Sequence, residues 1–571
     1  MKRLFNEHEI RKTTDLCGAW RYLKDEEDKG ESLGYQKSLP EWETVIVPSV
    51  WNNEIGMLNY EGVCWYERKV KTESGTYLFE FESVMTDATV YLDGEEFGSH
   101  YGGFTAFELI ARDLEAGEHT LTVKVDNRFD EKSIPQRKVD WFNYGGIARG
   151  VTLHKLEGIS VLSSRIVSTL SDDLSSAEVS AKIELYNAEN EVITTPVEVT
   201  VGGEVIYSAE VTLEGGTLAI LDTPLTKIEN ITLWSPENPY LYDVITKTSS
   251  DDLYDKIGFR LIEAKGGEIL LNKEKIELRG VNRHEEHPDW GFAFPPKLMK
   301  RDIDIIAKDL GCNTIRGSHY PQSRVFLDML DERGVMFFSE IPIWGGGFPE
   351  EVLTDPDVVE RGLNMHKEMA KQYCNHPSII IWGMHNEIYT PYPCTYEISK
   401  QYSAYLRQNG GNRLISHATM FPFEDSSLEF DDLISINLYH GWYYGTYKDW
   451  DKLVDDFRAL RTKLKMENKP VVFSEFGCGA LYGFHAPFDD VRWSEEYQRK
   501  LLDYVLNLFH NDEMVKGFYI WQYCNIRTIH PNLNRARVYN NKGLVDEYRN
   551  PKEAYFKVRE LYHKFANELK K

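Results

Sequence analysis

The sequence predicts two consecutive all-β domains followed by a barrel of eight alternating strands and helices, and three observations predict it. Up to about residue 156, and again from about 158 to 260, short runs of alternating apolar and polar residues are broken by turn signals, the mark of half-buried strands. After about residue 261 the period changes, and nearly all-apolar strands alternate with amphipathic helices. At 571 residues the chain is also too long for one hydrophobic core. The predicted boundaries are 1–157, 158–260 and 261–571.

In the first domain, TYLFEFESV (76–84) and ATVYLDGEEFG (88–98) alternate as strands, and Asp93-Gly94 supplies a tight hairpin turn between two of them. A β-sandwich is expected. In the second, AEVSAKIELYN (177–187), PVEVTVGGEVIYSAEVTL (196–213) and LYDVITKT (241–248) are separated by Gly-rich or acidic turns, over a length suited to an immunoglobulin-like sandwich. The proline-punctuated LWSPENPYLYDV (233–244) closes it.

In the third domain Met299, Ile303, Ile306 and Leu310 form one apolar helix face, ended at Gly311 and followed by the extended NTIRG. The unit recurs: FLDMLDERG leads to VMFFSE, HKEMAKQYCNHP to SIIIWGMHNE, and LLDYVLNLFHNDEMVKG to FYIWQY. Counting IELRGVN, NTIRG, VMFFSE, SIIIWGM, RLISHAT, DLISINLY, PVVFSE and KGFYIWQY gives eight strands, the number that closes a (β/α)8 barrel. Several are nearly all apolar, as strands buried on both faces should be.

Composition narrows the partners. A net charge of −26, with no basic run to offset it, repels phosphate backbones and anionic lipid, so neither nucleic acid nor a membrane surface is an expected partner. An anionic substrate would need a specific local cation to hold it against that field. No apolar stretch approaches the roughly 20 residues of a membrane span. The start, MKRLFNEHEIRKTTD, has no apolar core or cleavage site of a secretory signal, which places the protein in the cytoplasm. Seven scattered cysteines without a C-x-x-C pair read as reduced thiols; no disulfide, structural metal or cofactor is expected.

Reactive groups in such a barrel belong at the C-terminal ends of strands, so the polar residues that end each apolar run are the candidates. The first strand ends in Asn282-Arg283-His284-Glu285, the second in Arg316 with His319 close behind, the fourth in Asn386-Glu387 and the seventh in Ser474-Glu475. Two glutamates facing each other across one mouth suit acid-catalysed glycosidic cleavage. One carboxyl must be neutral to protonate the leaving oxygen, while the other is charged on the opposite side of the anomeric carbon. Their separation decides whether configuration is retained or inverted, and the sequence leaves that open. His284 and His287, beside Glu285, Glu286 and Asp289, have the composition of a metal cluster. They lack helical phasing and a distant third ligand, so His287 reads as a loop residue. Cys478, three residues after Glu475, has no partnered histidine and reads as packing. Trp344 and Trp442 read equally as sugar platforms or core.

The blocks GVNRHEEHPDWG (280–291), NTIRGSHYPQS (313–323), IIIWGMHNE (379–387) and VVFSEFG (471–477) resemble the signatures of glycoside hydrolase family 2, which includes β-galactosidases, β-mannosidases and β-glucuronidases. The resemblance covers essentially the whole chain. YLDGEEFGSHYGGFTAFEL (91–109) is similar to the family's jelly-roll sugar-binding domain. It implies Glu387 as general acid/base, Glu475 as nucleophile, retention of configuration, Asn386 on the sugar 2-hydroxyl, and His284 and His319 as hexose contacts. It also implies a homo-oligomer, dimer or tetramer.

Within the family, RVYNNKGLVDEYRNPK (537–552) resembles the Asn-x-Lys segment with which β-glucuronidases bind the C6 carboxylate, and the matching positions are Asn540 and Lys542. Lys542 would supply the local cation. Asp140 before WFNYGGI (141–147), the set of Asn437, Tyr439 and Tyr443, and Trp521 as platform under the ring match as well, with Arg537 as a further carboxylate contact. WQYCNI (521–526) departs from the glucuronidase pattern. IPIWGGGFPEEVL (341–353) lacks the Glu-x-His of galactosidase magnesium sites, and its shortness predicts an open mouth for bulky or oligosaccharide aglycones. The resemblance therefore implies hydrolysis of terminal β-glucuronides. A β-galacturonidase with the same clamp is the nearest alternative, a β-galactosidase or β-mannosidase a weaker one, and a non-catalytic carbohydrate-binding protein the alternative of another class.

Overall fold

A computed structural model describes residues 3–345, 348–529 and 535–569. Gly346 and Gly347, part of the segment expected to leave the mouth open, lie outside the described residues.

The first domain is an antiparallel sandwich. A six-stranded sheet runs in the order Glu43–Val47, Gly18–Asp25, Val63–Thr72, Gly117–Asp126, Asp87–Leu92 and Glu95–Tyr101. It packs on a four-stranded sheet of Thr13–Asp15, Val151–Leu156, Gly75–Phe81 and Phe107–Leu114. Alternate residues point inward, and Tyr66, Phe79, Phe81, Val90 and Val123 are fully buried between the sheets. Asp93-Gly94 turns the last hairpin of the larger sheet with both residues at positive φ, 54° and 89°, as a two-residue turn matched to strand twist requires.

The second domain repeats the logic with two four-stranded sheets. One is built around the long pair Ile159–Leu170 and Ser176–Asn187, the other on Ile193–Val201, Glu204–Leu213, Tyr242–Lys247 and Asp252–Ile257. Val179, Ile183, Leu185, Val197 and Val199 fill the space between them.

Eight parallel strands then close a barrel: Leu278–Asn282, Thr314–Gly317, Met336–Glu340, Ile379–Asn386, Leu414–Thr419, Ile434–Asn437, Val471–Phe476 and Val515–Ile520. The last pairs with the first. A short antiparallel sheet over residues 262–275 seals the N-terminal end, where Ile262, Ile269 and Leu271 pack on inward residues Phe338, Val472 and Tyr519. The outer helices bury their predicted faces. Met299, Ile303, Ile306 and Leu310 are all fully buried, although the helix Pro296–Ile303 continues as a π-turn over Asp304–Asp309.

One unit departs from the repeat. Between the fifth and sixth strands the connection carries a 3-10 turn, Ser426–Phe430, instead of an α-helix. Buried His417 braces it, with Nε2 2.9 Å from Asp425 and Nδ1 3.0 Å from Asp431. Burial opposes its charge, but Asp431 and Asp425 together push the ring up to about 10. Among the described residues, no helix is long and apolar enough to cross a membrane.

The first domain reaches the C-terminal mouth of the barrel. The segment from Val139 to Ala148 leaves the first sandwich and wedges Val139, Trp141, Phe142 and Tyr144 against Phe292, Tyr320 and Ile526 of the barrel.

Candidate active site

The mouth holds a cavity of about 530 Å³, lined among others by Glu387, Glu475, Trp344, Trp521, Tyr439, Tyr443, Asp140, Arg535 and Lys542. This is the volume of a small-ligand site. Residues from strand ends and from the first-domain wedge therefore share one space.

Its deepest feature is Arg316, at the end of the second strand and fully buried. Nη1 donates to Glu475 Oε1 (2.7 Å) and Asn282 Oδ1 (2.9 Å), and Nη2 donates to both Glu340 oxygens (3.0 and 2.9 Å) and to Asn386 Oδ1 (2.6 Å). The Tyr439 hydroxyl donates to the other Glu475 oxygen, Oε2, at 2.6 Å. Glu475 thus accepts a hydrogen bond on each oxygen, one of them from a guanidinium, and is only 3% exposed.

Glu387 has a different environment. It sits just past the fourth strand at φ 54°, in the left-handed region, and its carboxyl accepts one hydrogen bond, from Asn437 Nδ2 at 2.8 Å. Burial first, and the neighbouring Glu475 charge second, push it up to about 8. Glu387 is therefore protonated at neutral pH, as the acid in acid/base cleavage must be, beside a carboxyl paired to Arg316.

Several polar atoms around them point inward without a protein partner among the described residues. Asn386 Oδ1 takes bonds from Arg316 and Asn437, which leaves its buried Nδ2 unpaired. His319 Nδ1 lies 2.6 Å from Glu340 and its Nε2 is unpaired, 3.7 Å from Glu475 Oε1. His284 Nδ1 lies 3.2 Å from the Tyr320 hydroxyl, which itself accepts from the Glu285 amide, and again Nε2 is unpaired. Burial holds both imidazoles well below their ordinary range, hence neutral. Buried unsatisfied donors and acceptors are costly unless a ligand meets them. Trp521 stacks on His319 (5.0 Å between centroids, 19°) and meets His284 edge-on (5.5 Å).

The other wall is basic. Lys542 is 2% exposed; its ammonium lies 5.1 and 4.7 Å from the ring centroids of Tyr439 and Tyr443, and donates to the Tyr443 hydroxyl at 2.7 Å. Arg535 donates to the same hydroxyl (3.1 Å) and, through Nε and Nη2, to Asp140, which also accepts from Asn540 Nδ2 at 2.9 Å. Arg537 requires a correction. Its guanidinium turns away to Glu547 (2.9 Å) and Asn541 (3.1 Å) and is half-exposed; Arg535, with Arg137, lines the cavity instead. The resemblance does not carry over at this position, where Arg537 and Val538 both adopt φ 61° and coil the segment before Asn540.

The suspected metal cluster disperses. His284 faces Tyr320, Glu285 pairs with Arg149 (2.9 Å), Glu286 accepts from Tyr144 (2.7 Å), and His287 accepts from the Asp289 amide (3.1 Å). Cys478 is fully buried, and burial pushes its thiol up to about 12. Trp344 lines the cavity, whereas Trp442 packs against Trp493 at 4.8 Å.

Comparison with protein families matches residues 13–157, 159–260 and 262–567 to the sugar binding domain, the central domain and the TIM barrel domain of the family 2 glycosyl hydrolases. The chain belongs to glycoside hydrolase family 2. Family 2 relatives include a putative β-glucuronidase of Formosa agariphila, 27% identical over 99% of this chain and 71% of that one. Among solved family 2 structures, a β-galacturonidase from Eisenbergiella tayi bound to galacturonate superposes with a TM-score of 0.91 at 32% identity, covering 99% of each chain. The β-glucuronidase of Ruminococcus gnavus gives 0.86 at 27%, covering 99% of this chain and 98% of that one. As a family 2 member the chain is a glycoside hydrolase, and its three domains are those of the family.

Membership also shows what reading the sequence passed over. Glu340 ends the third strand as Glu387 follows the fourth, so the rule that selected one selects the other. Arg316 was visible at a strand end, without any sign that it is the hub. Tyr320 and Trp141 carry no such signal, because their roles come from packing between domains.

Proposed function

We propose that the protein is a retaining exo-β-uronidase acting on terminal β-D-glucuronides. The observation that carries this is Lys542, a cation buried under two tyrosine rings in the same cavity as both glutamates, within a chain of net charge −26. A neutral sugar gives such a cation no counterpart; a C6 carboxylate does, with Asn540 and Arg535 as further donors.

The sugar ring lies over Trp521, its hydroxyls meeting Asn386 Nδ2, His284 Nε2 and His319 Nε2. Glu387 gives its proton to the glycosidic oxygen as the bond from that oxygen to C1 breaks, and a Glu475 oxygen bonds to C1 from the opposite side. That step removes the Glu475 charge, the second cause of the raised Glu387 pKa, so the Glu387 carboxylate left by the proton transfer no longer faces a neighbouring anion. Glu387 then takes a proton from water, whose oxygen bonds to C1 as the ester to Glu475 breaks. The chemistry uses two carboxyls and water.

A second reading, β-galacturonide hydrolysis, is favoured by the 32% identity and TM-score of 0.91 to a galacturonidase bound to galacturonate. The two sugars differ only at C4 and share the carboxylate. Parallel hydrolysis of the p-nitrophenyl β-glucuronide, β-galacturonide and β-galactoside by wild type and Lys542→Ala separates them. We expect glucuronide turnover that collapses in the variant. Galacturonide preference would move the assignment to the second reading, and a fast galactoside indifferent to Lys542 would overturn both. We further propose a cytoplasmic homo-oligomer, dimer or tetramer, to be checked by light scattering on the purified protein and by cell fractionation.

A further inference from the structure

The segment that carries the clamp ends in Lys552, which the reaction does not use. Lys552 is fully buried. Its ammonium donates to three neutral oxygens: the Ala480 carbonyl (2.8 Å), Asn525 Oδ1 (2.9 Å) and the Asn541 carbonyl (3.0 Å). Among the described residues it forms no ion pair with a carboxylate. An ammonium has three protons, and each is used.

The acceptors belong to three different segments. Ala480 follows the seventh strand, which bears Glu475; Asn525 follows the eighth, which leads to Trp521; and Asn541 stands between Asn540 and Lys542. The knot is cross-tied without the lysine as well, since the Ala480 amide donates to the Asn541 carbonyl (3.0 Å) and the Gly543 amide to Asn525 Oδ1 (3.1 Å). Neutral hydrogen bonds therefore already tie the segments together, and a buried charge is an expensive addition to them. Burial lowers the Lys552 pKa to about 7, against which Glu495 is the largest opposing influence. What the ammonium adds is convergence: one atom fixes the distance from the clamp to both strand-end loops.

Resting on the uronide reading above, we propose that Lys552 is a positioning residue, which sets Asn540 and Lys542 at the spacing from Glu475 and Trp521 that a six-carbon uronate needs. It acts on the sugar only through the clamp. Its removal should then weaken substrate binding, and should cost nothing more once Lys542 is gone.

The test is a double-mutant cycle with Lys552→Met and Lys542→Ala, measuring kcat and KM on p-nitrophenyl β-glucuronide and the Tm of each variant. For Lys552→Met we expect KM to rise about ten-fold or more with kcat within about three-fold, and less than about two-fold further loss of kcat/KM when it is added to Lys542→Ala. A Lys552→Met loss that falls on kcat, or that persists in full without Lys542, overturns the proposal in favour of general support of the fold. If Lys552→Met does not fold, Asn525→Ala removes one of the three acceptors and keeps the lysine; the same rise in KM is expected there, and an unchanged KM overturns the proposal. Lys542→Ala as active as wild type would overturn the uronide reading itself, whereas an impaired Lys542→Ala beside an unimpaired Lys552→Met would overturn this inference alone.

Discussion

The two walls of the cavity are built differently. Glu475, Arg316, Glu340, Asn386 and Asn437 are residues of barrel strands and Glu387 comes one residue after its strand; Arg316 holds Glu475, Glu340 and Asn386 by short hydrogen bonds, and Asn437 ties Asn386 to Glu387. Asp140, Tyr443, Arg535 and Lys542 belong to none of the eight barrel strands. They come from loops of two domains, closed into a chain by the contacts of Arg535 with Asp140 and of Tyr443 with Arg535 and Lys542. Strand ends are fixed by the barrel's ladder, whereas loops are free to vary between relatives. On the proposed function, the scaffold would specify bond cleavage and the loops which sugar arrives, so each could be damaged without the other.

The sharpest break comes on the strand wall. Glu475→Gln should lower kcat by roughly 10⁴- to 10⁶-fold on every glycoside that wild type accepts, with Tm nearly unchanged. A variant within ten-fold of wild type would mean that the nucleophile lies elsewhere. Glu387→Gln should cost about 10²- to 10⁴-fold, more for a poor leaving group such as a methyl glycoside than for p-nitrophenol. Because the acid must be protonated and its pKa is raised to about 8, wild-type kcat/KM should hold below that pH and fall as pH rises through it. A pH–rate profile whose alkaline limb survives Glu387→Gln would detach that limb from this residue.

On the loop wall the losses should be smaller and selective. Lys542→Ala should cost about 2–5 kcal/mol on a uronide, roughly 30-fold to a few thousand-fold in kcat/KM, with little effect on a slow neutral glycoside. An equal loss on both would erase the distinction between the walls. Arg535→Ala should lose roughly ten-fold on the uronide, and Arg537→Ala less than about two-fold, because an exposed ion pair contributes little. Reversal of that order would restore the arginine that the resemblance implied.

The same contrast explains what was legible. Eight strands and the polar residues that end them could be read because an apolar run stopping abruptly at Asn-Glu or Ser-Glu is a local pattern. Asp140 entered only through family resemblance, since no local pattern says that a sandwich loop reaches a barrel. Arg535 was hidden by two consecutive left-handed residues, and the missing helix after the fifth strand by a buried histidine–aspartate brace, both settled by tertiary contacts. The π-turn at Asp304–Asp309 was equally silent, because the four apolar positions around it stay buried in either helix form.

The wedge from the first domain has a consequence for inheritance. Asp140 lines the same cavity as the strand-end glutamates and Trp141 packs on the barrel beside it, so on the proposed function a gene fragment encoding the barrel alone would transmit the machinery of bond cleavage without part of the vessel that selects its sugar. Recombination that exchanged the sandwich between two such enzymes would carry a piece of substrate preference with it. The selectable unit is the pairing of one particular loop with one particular barrel, and lineages that separate the two would have to rediscover the match.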